Sequence, residues 1–399
     1  MRVAFVSLIC YDSLSSDVVA AHPSDPDYFD REILAKHSDP IHKWCKMILD
    51  EGDSVELWYL SALSGTSAVF RHKYGHTCRR IPGFHLRKYL GRFLDCDCST
   101  ELLRELKRHE VSHVLLIPYL LNRRLPVDMS DIVIRSCQRA GIKVLPVYGG
   151  SSINIYGPVK RAIKAHVLRS VDGLLCQSRR ELELMRDQHR FPVEKLHYFK
   201  NPLDLINFQP VPRAECARKL KLDGGSRYLL YVGRLVEPKG IRHLVRIMPE
   251  ILMAEPSCKL LIAGWGPMEA ELRGLVEVLH LEREISIVPF VANNDLKYYY
   301  SLADVVVLPS YSEGTPNVLM EAIACGATCV ATDVGGIPDL LGDGVGIMVP
   351  PRDEGALLAA ILKVLRGEFA VNQGKRLALM SEIDVTTKRK ELHRILTSA

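Results

Sequence analysis

A chain of 399 residues, 47% hydrophobic and 25% charged, has an ordinary globular composition and is long enough for two domains with separate cores. Its net charge of +5 favours an anionic partner but does not imply nucleic acid, and no apolar run approaches the length of a membrane span. The eleven cysteines are odd in number, and several (Cys45, Cys137, Cys176, Cys325, Cys329) fall in apolar helix or strand patterns, which points to a reducing cytoplasm rather than a disulfide scaffold.

The N-terminal half alternates apolar runs with helical patterns, as a parallel sheet covered by helices requires. Strands are predicted at 3–9, 54–60, 113–118, 143–148, 173–176 and 196–199. The first of these is too short for a signal peptide. Ser38 and Asp39 cap the first helix, Pro40 starts it, and Ile41, Trp44, Cys45, Ile48 and Leu49 recur at helical spacing. Before it, residues 10–37 form an acidic polar loop of a length that is usually functional or disordered.

Residues 70–92 read as an irregular stretch made basic by Arg71, Lys73, Arg79, Arg80, Arg87, Lys88 and Arg92. A solvated loop is the simpler reading, and a patch for an anionic acceptor or membrane surface is the functional one. Cys96-Asp97-Cys98, even with His72, His76 and His85 upstream, lacks a second cysteine pair, so no metal is expected there. A basic helix at 159–169 (Lys160, Arg161, Lys164, Arg169) is read as a wet face.

A second sheet is predicted from strands at 228–232, 259–263, 285–289, 304–309 and 329–332. After its first strand, Ile241, Leu244, Val245, Met248 and Leu252 share one helix face, which Pro249 should bend. Residues 381–396 form a basic amphipathic tail.

The chemistry concentrates at the strand ends of this second sheet. After the apolar run 303–309, Thr315 is placed as N-cap, Pro316 at the first helical position, and Gly326 ends the helix. In such strand–helix–strand units ligands bind beyond the carboxyl ends of the strands, where N–H groups at helix starts attract phosphate. Gly314 and Thr315 in the loop, with Asn317 and Val318 in the first turn, supply such donors, and Gly335-Gly336 allows another close approach. Glu313 and Glu321 can face one ligand at two places, accepting hydroxyl protons; either alone would read as a solvated surface charge. Gly233-Arg234-Leu235-Val236-Glu237-Pro238-Lys239-Gly240 leaves the first strand with a planar bidentate fork and a mobile point charge, a pair suited to a diphosphate. Gly264-Trp265-Gly266-Pro267 turns out of the next strand.

Together these strings resemble the retaining glycosyltransferases of family 4, which have the GT-B fold. The resemblance rests on Glu313-Gly314 with Pro316 and Glu321, on the run from Gly326 to Gly336, on Gly233–Gly240 and on the Gly-x-Gly-Pro turn. The segment 200–210 also resembles the family's interdomain linker, with Pro202 in a glycine's place. The likeness is strong over 228–341, fair beyond it, and weak before 196.

It implies an α/β chain of two Rossmann-like, doubly wound parallel-sheet domains with the active site in the cleft between them. Residues 1–205 would bind the acceptor, 206–378 the nucleotide sugar, and 379–399 would pack back on the first domain. The implied reaction moves a sugar from a nucleotide-diphosphate donor, a UDP- or GDP-sugar, to an acceptor hydroxyl with retention and with neither bound metal nor cofactor. Arg234 and Lys239 would hold the diphosphate, Glu313 the transferred sugar with the amides of Gly314 and Thr315 nearby, and Glu321 the ribose. Val291 would hold the base by its main chain, with Gly233, Gly264 and Gly266 close to the nucleotide.

Two departures concern the first domain. Residues 8–13 lack the paired glycines frequent in the family, and Tyr148 stands where many members have histidine. Tyr148, Gly149 and Ser151 are the candidates for the sugar and acceptor side, with a plain strand end the equal alternative. The expected partners are a nucleotide sugar and a glycan or lipid-linked acceptor, with no nucleic acid and with membrane contact through 70–92. The setting is the cytoplasm or its membrane face. A sugar-nucleotide epimerase of the same fold and a non-catalytic sugar-nucleotide binder stay open as rivals, as do base, sugar, acceptor and oligomeric state.

Overall fold

The computed structural model describes residues 1–7, 40–61, 67–82, 84–85, 97–117, 129–148, 165–288 and 291–399. It divides into a first unit, Met1–Pro202 with Val385–Ala399, and a second, Leu203–Asp384. The loop at 10–37, the cap residues Ser38 and Asp39, the glycine-poor segment 8–13, Gly149, Ser151, Arg87, Lys88, Arg92 and the start of the basic helix at 159–169 lie outside the described residues.

The first unit contains β1 (Arg2–Ser7), β2 (Ser54–Ser61), β3 (Ala68–Arg71), β4 (Thr77–Pro82), the short pair β5 (Phe84–His85) and β6 (Asp97–Cys98), then β7 (His113–Ile117), β8 (Lys143–Tyr148), β9 (Leu174–Cys176) and β10 (Leu196–Tyr198). Eight of these form one sheet in the order β10-β9-β8-β7-β1-β2-β4-β3. Every pairing is parallel except that of the edge strand β3 with β4. The helix Pro40–Asp50 buries Ile41, Trp44, Cys45 and Ile48 as its periodicity requires, and the Trp44 ring stands edge-on to Phe5 and Phe199. The helix Val385–Ser398 contributes Leu392, Ile395 and Leu396 to the same core. Extended ψ at Asp384 separates it from the helix Gln373–Ile383, so the basic tail at 381–396 is two helices rather than one.

The irregular basic stretch is corrected by this sheet. Residues 68–82 are two regular strands, and their cations are not uniformly solvated. Arg80 is buried, and Arg79 reaches Glu56 of β2 at 3.2 Å while lying over the Trp58 ring. A carboxylate and an aromatic on the neighbouring strand let β4 carry arginines at sheet positions. His72 and His76 are buried as well, so several of the groups assigned to a surface patch face inward.

The second unit holds β11 (Arg227–Val232), β12 (Cys258–Ala263), β13 (Ile285–Val288), β14 (Val305–Leu308), β15 (Thr328–Thr332) and β16 (Ile347–Val349), all parallel. Their order is β13-β12-β11-β14-β15-β16. The winding reverses between β11 and β14, which is where a doubly wound sheet opens its ligand crevice. All four residues of β14 are buried, matching its unbroken apolar run. β16 has only three residues and escaped the sequence pattern. The helical segment after β11 breaks at Ile247, into Ile241–Arg246 and Met248–Ala254, because Pro249 has no N–H to continue the ladder. No helix among the described residues is long and apolar enough to cross a membrane.

Candidate functional site

Four loops leave the carboxyl ends of β11, β12, β14 and β15, and glycines let them press together without intervening side chains. A Cβ on Gly264, after β12, would lie 1.9 Å from the carbonyl oxygen of Gly233, after β11. One on Gly240 would lie 2.0 Å from the Pro309 oxygen, and one on Gly335 2.0 Å from the Glu313 oxygen. Gly240 and Gly335 also take positive φ, of 64° and 54°, where a side chain is strained. Backbone hydrogen bonds tie the same loops: Leu235 N–H to Trp265 O at 2.8 Å, Tyr311 N–H to Pro238 O at 2.8 Å, and Gly336 N–H to Gly314 O at 2.7 Å. A continuous rim of main chain therefore surrounds the switch point.

Two charged side chains meet across that point. Lys239 ends a short 3₁₀ turn, Glu237–Lys239, and its Nζ lies 2.6 Å from Glu313 Oε1, in the loop after β14. Ser310 Oγ donates to the same oxygen at 2.6 Å. Glu313 is almost fully buried, its side chain 8% exposed, so the surface-charge reading of this residue is excluded. Arg234 projects to solvent from the β11 loop, and no carboxylate pairs with it among the described residues. Its carbonyl is fixed by Tyr231 Oη at 2.8 Å, and burial, with the Glu313 charge added, pushes the Tyr231 phenol well up, so it stays a donor.

The helix after β14 starts one residue later than the sequence suggests. Pro316, with ψ of 116°, is the N-cap in place of Thr315, and the helix runs Asn317–Ala324. Proline keeps its fixed φ but takes an extended ψ, so Asn317 and Val318 become the first helical residues. Their N–H groups lie beyond any i−4 carbonyl, as at every helix start. Thr315 is buried in the loop. Gly326, at φ of 98°, follows the C-cap Cys325.

Glu321, on the second turn, is 8% exposed and accepts a 2.9 Å hydrogen bond from Tyr300 Oη, on the helix Asn293–Leu302. Burial together with this carboxylate raises the Tyr300 phenol far above its usual range, which keeps it a donor. Gly266, at φ of 157°, packs against the Leu235 oxygen, and Val291 packs against the core at the start of the segment after β13. Arg234, Lys239, Glu313, Gly314, Thr315, Asn317, Val318 and Glu321 thus all stand on elements leaving β11 and β14. Tyr148 closes β8 in the first unit with its ring 1% exposed in the core.

Sequence reasoning missed the residues that hold these groups in place. Ser310 and Tyr300 anchor the two glutamates. Tyr311 donates to His243 Nε2 at 2.6 Å, and His243 Nδ1 meets Glu354, which pins the β14 loop to the helix that follows Lys239. The signal available was positional: a serine three residues before Glu313, and a tyrosine one turn from the end of the helix that precedes β14.

Residues 212–379 match the family model described as glycosyl transferases group 1. An uncharacterized glycosyltransferase of Methanocaldococcus jannaschii is 34% identical over 182 residues, 44% of this chain and 46% of that protein. The chain spans about half the length of the first curated relatives it matches. Among solved structures, sucrose-phosphate synthase from Thermosynechococcus elongatus has a TM-score of 0.73 at 20% identity, covering 100% of this chain and 98% of that one. Anabaena HepE in complex with UDP has a TM-score of 0.72 at 15% identity, with full coverage of both. The fold is GT-B: two α/β domains, each built on a parallel sheet.

Proposed function

We propose that this chain, whose residues 212–379 carry the group 1 glycosyltransferase domain, transfers a sugar from a nucleotide-diphosphate donor to an acceptor hydroxyl with retention of configuration. The observation that carries the reading is the Lys239–Glu313 pair across the β11/β14 switch point, rimmed by backbone and flanked by the solvent-facing Arg234. Negative charge grows on the departing diphosphate in the transition state, and prepositioned cations and N–H groups aimed there lower the barrier. Arg234 supplies a bidentate fork, Lys239 a mobile ammonium, and Asn317 and Val318 the helix-start amides. Glu313, already held by Ser310, accepts hydroxyls of the transferred sugar once Lys239 turns toward phosphate. Glu321, braced by Tyr300, takes the ribose diol, and Val291 holds the base.

Charge neutralisation by Arg234 and Lys239 replaces a divalent metal in this scheme. The donor is a UDP-sugar, in keeping with the UDP bound by HepE. The acceptor is a glycan or lipid-linked hydroxyl, reached in the cytoplasm or at its membrane face. The test is turnover of UDP-glucose with an acceptor panel in excess chelator, the product's anomeric configuration being read by NMR. A product of inverted configuration, or turnover abolished by chelator and restored by Mg²⁺, would overturn the corresponding part. Donor consumption without an acceptor product would favour an epimerase.

A further inference from the structure

Apart from the residues assigned to the proposed donor site, one face of the first unit's sheet gathers an unusual set of side chains. His42 and Cys45 lie three residues apart on the helix Pro40–Asp50, and so share a face. His76 and Cys78 lie two apart at the entry of β4, and so point to one side of the strand. All four are at most 1% exposed. One nitrogen of His42, one of His76 and the sulfur of Cys78 all lie within 4.8 Å of one another. His42 Nδ1 and His76 Nε2 are 2.9 Å apart. Cys45, on the helix face shared with His42, stands outside this set of three, so its thiol must turn inward to join them.

His72 stacks on His42 at 3.9 Å, but its Nδ1 accepts from the Tyr74 amide, which directs its proton to the other nitrogen and makes it a wall rather than a ligand. His76 Nδ1 is buried and meets no hydrogen-bond partner among the described residues.

We propose that His42, His76 and Cys78, with Cys45 as the fourth ligand, form a structural zinc site that fastens the helix Pro40–Asp50 to β4. Two histidines and two cysteines are a donor set that tetrahedral zinc takes, and a closed, buried site is the structural rather than the catalytic kind. Ligand nitrogens on one tetrahedral zinc stand about 3.3 Å apart, so the ring pair opens by a few tenths of an ångström on loading. Each thiol gives up its proton to solvent as zinc binds, and zinc–sulfur and zinc–nitrogen bonds replace the histidine–histidine hydrogen bond. The two cysteines stand 33 positions apart, one on a helix and one on a strand, so no short cysteine motif marks the site.

The test is metal content and Co²⁺ spectroscopy on the full chain. After expression in zinc-supplemented medium, about one zinc per chain is expected by elemental analysis, lost with Cys78→Ser. In wild type stripped with a strong chelator, Co²⁺ should restore tetrahedral d–d bands and a thiolate-to-cobalt charge-transfer band. That second band should weaken in both Cys78→Ser and Cys45→Ser while nucleotide-induced stabilisation of the second unit persists. Purified, folded wild type with no zinc above background and no cobalt charge-transfer band would overturn the site. A charge-transfer band undiminished by Cys78→Ser would do the same.

Discussion

The two sheets share a winding but are finished differently. In the second unit the strands run β13-β12-β11-β14-β15-β16; in the first, β4-β2-β1-β7-β8-β9 occupy the same six places. The step from the second place to the first is a helix in the second unit, Glu269–Val278. In the first unit it is the edge strand β3, running antiparallel back beside β4. Either element returns the chain to the start of a parallel strand. One topology therefore tolerates two crossovers. Where β3 replaces the helix, the sheet is covered by the helix Thr100–Arg108, whose Glu105 faces Arg79 of β4 beside Glu56 of β2.

Substitutions at the loop rim should separate the units most sharply. Gly335→Val forces a Cβ against the Glu313 oxygen and strains a positive φ, so stability should fall by about 1–3 kcal/mol or more, with loss of nucleotide binding. A melting curve and nucleotide titration unchanged from wild type would contradict the close-packed rim.

Next in size, Lys239→Ala should lower kcat about 10²–10³-fold, more than it raises KM, because its contact with phosphate strengthens in the transition state. Equal losses in substrate affinity and none in kcat would reassign Lys239 to ground-state binding.

Smaller again, Tyr300→Phe removes one hydrogen bond to Glu321 and should raise the donor KM by a factor of about 5–10, corresponding to roughly 1 kcal/mol, with kcat little changed. In the first unit, Arg79→Ala leaves the largely buried Glu56 and Glu105 without their cation, so it should cost stability by about 1–3 kcal/mol and leave nucleotide binding untouched. A shift in nucleotide affinity there would break the division of labour between the units.

Legibility followed the physics of each element. β14 is buried on both faces, so its apolar run and the capped helix after it stood out in sequence. The start of that helix was misplaced by one residue because proline fits both the N-cap and the first helical position, and only ψ distinguishes them. β3 and β4 were missed because their arginines, at Arg71, Arg79 and Arg80, resemble a solvated loop until Glu56 and Trp58 are placed beside them. The glutamates of the proposed donor site, Glu313 and Glu321, were visible as residue types at a spacing. Their anchors Ser310 and Tyr300 were not, because a hydroxyl meeting a carboxylate across two elements leaves no periodic trace.

The central claim, a nucleotide site at the β11/β14 switch point, is tested most directly by thermal stabilisation with UDP, GDP and ADP on wild type and Glu321→Ala. A ligand that binds only the folded chain raises its melting temperature by mass action. A shift with UDP that disappears in Glu321→Ala is the expected result. A UDP shift of the same size in Glu321→Ala would place the nucleotide elsewhere and contradict the site.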